Sequence, residues 1–232
     1  MSEDDEVDAE SMPDQPPERR KRAIRSGRME ALSDGVFAIA ITLLVLDLAV
    51  PSSSGPNLRH ALWQQWPSYL AYVVSFATIG AIWIGHTVIT EYLDHADPVL
   101  IRLNLLLLLV VSFLPFPTRL LGEYIQEEQA ERVATTVYGL TLLLASAALS
   151  LLWRYAVRAH LVVPDATDEE LELLTARVTP GLGGYVLLLV LGLFLPVAAV
   201  VGYLLVALFL ILPFTHRWLR PRPPRQVHKH QR

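Results

Sequence analysis

The chain has no cysteine among its 232 residues, which removes disulfides, thiolate catalysis and cysteine-based zinc sites from consideration. Lysine is nearly as scarce, with 2 against 17 arginines, a bias that points to a GC-rich, bacterial genome. No GxGxxG, phosphate-binding loop or GxSxG pattern occurs, and no nucleophile–base pair stands out, so an enzymatic function has nothing to build on. Charge itself is missing from long stretches: residues 103–118 carry none, nor does the whole interval from Val178 to Thr215. Apolar runs of about 18 residues or more are membrane-span candidates. With 53% hydrophobic residues and a mean hydropathy of +0.39, the chain reads as an all-α integral membrane protein.

The charge that is present sits in tails and loops. Residues 1–18 are acidic and proline-rich, with no basic residue before Arg19, and read as a disordered tail. The run ERRKRAIRSGR that follows is a topology signal and a lipid-headgroup contact. A nucleic-acid surface would need a folded basic face, which nothing supplies, so no nucleic-acid partner is expected. The first apolar run begins after residue 30, behind an acidic start, and no cleavable signal peptide is expected.

Six spans are predicted, at 33–50, 67–92, 99–121, 132–157, 180–196 and 198–218, within a membrane domain of residues 28–218 flanked by tails 1–27 and 219–232. The first span closes at Pro51 and the loop PSSSGPN. The apolar tract from Gly181 to Trp218 exceeds one crossing of a core about 30 Å thick at about 1.5 Å per residue, and is split near Pro196. Between spans four and five, VVPDATDEELELLTARVT predicts a capped amphipathic helix outside the membrane. If the N-terminus is cytoplasmic, 16 basic residues lie inside, against only Arg59, Arg119 and Arg132 outside. The positive-inside rule thus places both termini in the cytoplasm, in agreement with an even number of spans. Trp63 and Trp66 then fall at the outer interface and Trp218 at the inner one.

Ionisable residues within spans are functional suspects because burying charge in lipid is costly. Asp34 and Asp47 on span one, His86 on span two and Glu91 qualify. Asp34 reads either as an N-terminal cap with Arg28 as counter-ion, or as part of a site. Asp47 either reaches the interface or places negative potential at an outer mouth. Trp83 and His86, spaced i, i+3, share a helix face. YLDHAD (Tyr92–Asp97) and HKHQR at the C-terminus read as a turn and a tail, so no metal and no cofactor is expected. The VGY of VVGYLL lacks the flanks of a potassium filter and sits in a lipid-type helix. On span one, Ile39, Leu43 and Leu46 form one stripe, with Ala38 and Thr42 beside it. That stripe suits ordinary helix packing. Around an axis of several copies, it would instead form an apolar constriction able to gate by dewetting.

Several segments resemble a known family. RMEALSDGVFAIAITLLVLDL (Arg28–Leu48) is similar to the first-helix signature of the prokaryotic homologues of the lysosomal potassium channel, the transmembrane-protein-175 family. SFATIGAIWIGH (Ser75–His86) and NLLLLLVVSFLPFPTRLLGEY (Asn104–Tyr124) match further. Leu32 stands where phenylalanine is usual, and Thr87 where many relatives carry a second histidine. The resemblance implies a potassium-conducting homotetramer of six-span subunits whose first helices line the pore, without a re-entrant filter. It implies a constriction at Ile39 continued by Leu43 and Leu46, and pore-lining roles for Thr42, linked to selectivity, and Ala38. It further implies a polar network of Arg28, Ser33, Asp34, Gly35, Trp83, His86 and Asn104, with Asp47 as an outer-mouth charge by position. A proton-coupled carrier or proton channel using Asp34, His86 and Asp47 is the alternative, and a non-transporting membrane scaffold a third. The expected partners are potassium ions, membrane lipids and further copies of the chain.

Overall fold

A computed structural model of the chain describes residues 17–48, 57–178 and 180–212. Pro51, the PSSSGPN loop up to Pro56, Trp218 and the HKHQR tail lie outside the described residues. So do the first 16 residues and everything after Leu212. All regular structure within the described residues is helical, apart from one isolated antiparallel bridge between Leu93 and Val162.

Helix α1 (Pro17–Leu43) ends in a 3₁₀ segment, Leu44–Asp47. It is followed by α2 (Leu58–Gln64), α3 (Trp66–Glu91), α4 (Pro98–Phe113), α5 (Pro115–Tyr124), α6 (Ala130–Arg158), α7 (Asp168–Val178), α8 (Pro180–Gly192) and α9 (Pro196–Ile211). Four segments are long and apolar enough to cross a membrane: Ser26–Asp47, Trp66–Glu91, Pro98–Tyr124 and Ala130–Arg158. At about 1.5 Å per residue, α8 and α9 reach about 20 and 24 Å, short of a core about 30 Å thick. They form a tight pair, with the turn at Leu193–Leu195 between them and Pro196 in the first turn of α9.

Two boundaries differ from expectation. Residues 17–27, expected within a disordered tail, belong to α1. Pro17 suits the first helical turn, where its missing N–H is not needed, and no further proline follows before Pro51. The third span is not one helix: it breaks at Leu114, because Pro115 cannot donate to the helical ladder and its ring crowds the carbonyl one turn back.

Side chains settle the ends of several helices. Asp97 caps α4, its Oδ1 accepting from the Leu100 amide at 2.7 Å, with Pro98 next in sequence. Helix α6 stops in a Schellman turn, in which Leu161 N donates to Ala156 O and His160 N to Val157 O while His160 takes φ +54. The chain leaving that turn is stitched to the α3–α4 loop by Asp94 N to Leu161 O and Val163 N to Tyr92 O. Thr167 and Glu170 form a reciprocal capping box at the start of α7. That helix docks on α6 through buried Leu174 and the Trp153 indole, which donates to Thr175 Oγ1 at 2.8 Å.

The core lies among α3, α4, α6 and α9. Its closest approaches are at glycines: a Cβ at Gly139 would overlap the Tyr203 hydroxyl, and one at Gly202 would overlap Leu188. Tyr138, Tyr203 and Tyr185 stack in sequence, with ring centroids 5.7 and 6.3 Å apart.

Candidate functional site

The candidate site is built on α1, which has two unlike faces. Met29, Ser33, Phe37, Ala40 and Leu44 are buried against α3 and α4. They recur every three or four residues, as one side of a helix must. The opposite face carries Gly35, Ala38, Ile39, Thr42, Leu43 and Leu46, all exposed, with Ile39 at 60% and Leu46 at 69% of full exposure. Thr42 Oγ1 spends its hydrogen on Ile39 O at 3.0 Å, leaving its lone pairs facing outward. At Gly35 an added Cβ would meet nothing within the subunit.

The inner half of the buried face is held by a directed chain of hydrogen bonds. Ser33 Oγ donates to Met29 O at 2.9 Å, and Asn104 Nδ2 donates to Ser33 Oγ at 2.9 Å. The Asn104 carbonyl oxygen is then an acceptor, so His86 Nε2, 2.8 Å away, carries the proton and donates to it. All three side chains are buried, and Phe37 lies against the His86 ring at 5.6 Å. Helices α1, α3 and α4 each contribute a member, so the chain of bonds fastens three helices together.

Asp34 and Arg28 depart from the sequence reading. Asp34 lies in the middle of α1, which begins at Pro17, and is therefore not an N-terminal cap. Its Oδ1 accepts from Trp83 Nε1 at 2.9 Å, on the exposed side of α1 and α3. Arg28 is exposed and forms no ion pair among the described residues, so it is not the counter-ion of Asp34. Trp83 and His86 share a helix but serve different partners, one exposed and one buried.

Asp47 ends the 3₁₀ segment and is half-buried. It lines a small open-sided hollow together with Ser68, Tyr72, Thr118, Arg119 and Glu123. Arg119 Nε donates to Glu123 Oε1 at 2.8 Å across one helical turn. Glu91 is exposed at the end of α3.

A second buried polar cluster went unread in the sequence. Thr118 Oγ1 donates to Leu114 O at 2.8 Å, so Ser75 Oγ donates to Thr118 at 2.7 Å and the Tyr138 hydroxyl to Ser75 at 3.0 Å. It ties α3, α5 and α6 together just beyond the Pro115 break. Its members are 43 and 63 positions apart, and no local pattern reveals such a pairing. Asp97 was also passed over as part of a turn, although Asp-Pro ahead of an apolar run is a readable cap signal. Its Oδ2 accepts from the Tyr155 hydroxyl at 2.6 Å. Burial opposes the Asp97 charge, but Tyr155, the Leu100 and Val99 amides and nearby His95 outweigh it and hold its carboxyl below the usual carboxylate range.

No group of three or more histidine or acidic side chains suited to a metal occurs among the described residues. Chemically, the arrangement offers an apolar face studded with small and hydroxyl-bearing residues, backed by a hydrogen-bonded clasp.

Comparison with known proteins adds to this geometry. The family model described as endosomal/lysosomal potassium channel TMEM175 matches residues 28–115. A protein of Streptomyces collinus named as a potassium channel is 51% identical over 141 residues, which cover 60% of this chain and 68% of that protein. The crystal structure of a lysosomal potassium-selective channel TMEM175 homologue from Chamaesiphon minutus superposes with a TM-score of 0.73 at 37% identity, over 80% of this chain and 95% of that one. The endosomal/lysosomal proton channel TMEM175 of Gallus gallus is 34% identical over 139 residues, which span 56% of this chain but only 28% of that protein.

Proposed function

This chain belongs to the TMEM175 family, and on that premise we propose that it is a potassium channel conducting passively through a pore lined by α1. Four copies would surround one axis, each presenting Ile39 as the narrowest ring, with Leu43 and Leu46 continuing the apolar wall outward. Thr42 and Ala38 would line the pore beside them, Thr42 supplying a polar wall linked to selectivity. The subunit would cross the membrane six times, with α8 and α9 as the last pair and both termini cytoplasmic.

The observation that carries this reading is the exposed apolar stripe of α1. Ile39, Leu43 and Leu46 face away from their own subunit while Ser33, Phe37, Ala40 and Leu44 anchor the opposite side. A stripe facing only lipid would not need glycine, alanine and threonine interleaved with it, whereas close approach of helices and a narrow axis both do. A ring of branched apolar side chains can hold a pore dry until it widens. Arg28, Asp34, Gly35 and Trp83 then sit at the inner end of the pore helix, and the Ser33–Asn104–His86 clasp fixes its orientation rather than coordinating ions.

The test is flux from liposomes holding a potassium gradient, with wild type beside Ile39→Asn. A polar ring should wet the constriction and raise the flux. Absence of any cation current in wild type, together with no effect of the substitution, would end the channel reading. Crosslinking in the membrane that traps nothing larger than a dimer would exclude the four-helix pore.

A second reading, conduction or coupling of protons through Asp34, His86 and Asp47, draws on the name of the Gallus gallus relative. Against it, Asp34 and His86 bind different partners, and Asp47 lies 13 residues further along the helix, about 20 Å away. Proton flux driven by a pH gradient and abolished in Asp34→Asn would favour it.

A further inference from the structure

We infer that Arg119 and Glu123 of α5, with Asp47, form the charge set that governs cation supply to the outer end of the pore; this rests on the channel reading above. Asp47 is the last residue of the 3₁₀ segment that completes α1. The hollow at that end places it beside Arg119 and Glu123, which come from the segment beyond the Pro115 break.

The arithmetic of charge decides what the set does. With both carboxylates ionised, the two carboxylates and one guanidinium lining the hollow carry one net negative charge per subunit. Arg119 is held by Glu123 at 2.8 Å, so the guanidinium stays beside the hollow that Asp47 lines. Arg119 and Glu123 are largely exposed, so changing them alters the potential at the mouth with little effect on packing. α5 itself is pinned to α3 and α6 by the Thr118–Ser75–Tyr138 chain, which holds Arg119 at a constant distance from the end of α1. Negative potential at a mouth raises the local cation concentration, and Arg119 limits that rise.

The experiment measures potassium conductance of wild type, Arg119→Gln, Arg119→Lys, Glu123→Gln and Asp47→Asn at about 10 mM and about 1 M KCl. Surface charge acts over about 30 Å in the first solution and about 3 Å in the second. At low salt, Arg119→Gln should raise conductance about two- to threefold and Asp47→Asn and Glu123→Gln lower it by a similar factor, with Arg119→Lys like wild type. At high salt all five should converge. Variants equal to wild type at low salt, or differing by the same factor at both salts, would overturn the inference while leaving the channel reading intact. A wild type that conducts at neither salt would instead overturn the channel reading on which it rests.

Discussion

Helices α1 and α6 are both long enough to cross a membrane, yet α6 buries twice the share of its residues within the subunit that α1 does. α6 is the hub: its small residues, Ala134, Gly139, Ala145, Ala148 and Ala156, let α4, α8 and α9 approach closely. α1 touches its subunit along one narrow side, where a serine, an asparagine and a histidine replace much of the missing apolar contact. A span so sparsely covered by its own chain must meet something else on its other side. The contrast shows that one composition, apolar and rich in small residues, supports either a packed core or a working surface. Which it becomes depends on the neighbours.

The contrast can be broken by substitutions that exchange the consequences. The largest functional effect is expected at Ile39→Asn, which should raise potassium flux severalfold. Because Ile39 is exposed within the subunit, the stability of the subunit fold itself should change by less than about 0.5 kcal/mol. Gly139→Ala on α6 should do the reverse. Its methyl would overlap the Tyr203 hydroxyl, costing about 1–3 kcal/mol of stability by overpacking and lowering the melting temperature in detergent. If the two variants had similar effects on both readouts, the division of labour between the helices would be wrong.

The clasp should give an effect of middle size. Asn104→Ala strands the His86 Nε2–H and one acceptor position of Ser33, at about 1–3 kcal/mol for unsatisfied buried groups. Loosening α1 in this way should lower thermal stability and the yield of crosslinked oligomer together. Asp34→Asn, by contrast, keeps an acceptor for Trp83 on an exposed face, and its stability should stay near wild type.

A smaller loss than at the clasp is expected at the cap of α4. Asp97→Ala should cost about 1 kcal/mol through the lost Leu100 bond. The Asp97 carboxyl sits below the usual carboxylate range when folded. Its stabilising contribution is therefore complete above that range and is lost as pH falls through the lower folded value. Wild type should lose more stability than Asp97→Ala between about pH 5 and pH 2, measured by thermal melts.

Much of this organisation was legible in one dimension. The apolar stretches mark the helices, four of them of membrane-crossing length, and the Thr167–Glu170 pair marks the start of α7. The spacing of Ile39, Leu43 and Leu46 puts them on one face without reference to any neighbour. The Asp34 partner was misread because sequence proximity favoured Arg28, whereas Trp83 lies 49 positions away and only helix packing brings it near. The break at Leu114 was passed over because hydropathy counts Pro115 and Pro117 as mild interruptions, while backbone hydrogen bonding counts each as a missing donor.

What the sequence alone determined are those properties that one helix settles by itself. In lipid, backbone groups must bond within their own segment, so apolar length marks the long spans and 3.6-residue periodicity groups the side chains by face. Only the tertiary structure decided which face turns inward and which polar groups meet. Ser33, His86 and Asn104 are three separate polar residues until α1, α3 and α4 pack together. Their bonds link positions 18 and 71 apart, and a hydrogen bond requires atoms within about 3 Å, a condition that no spacing along the chain can supply.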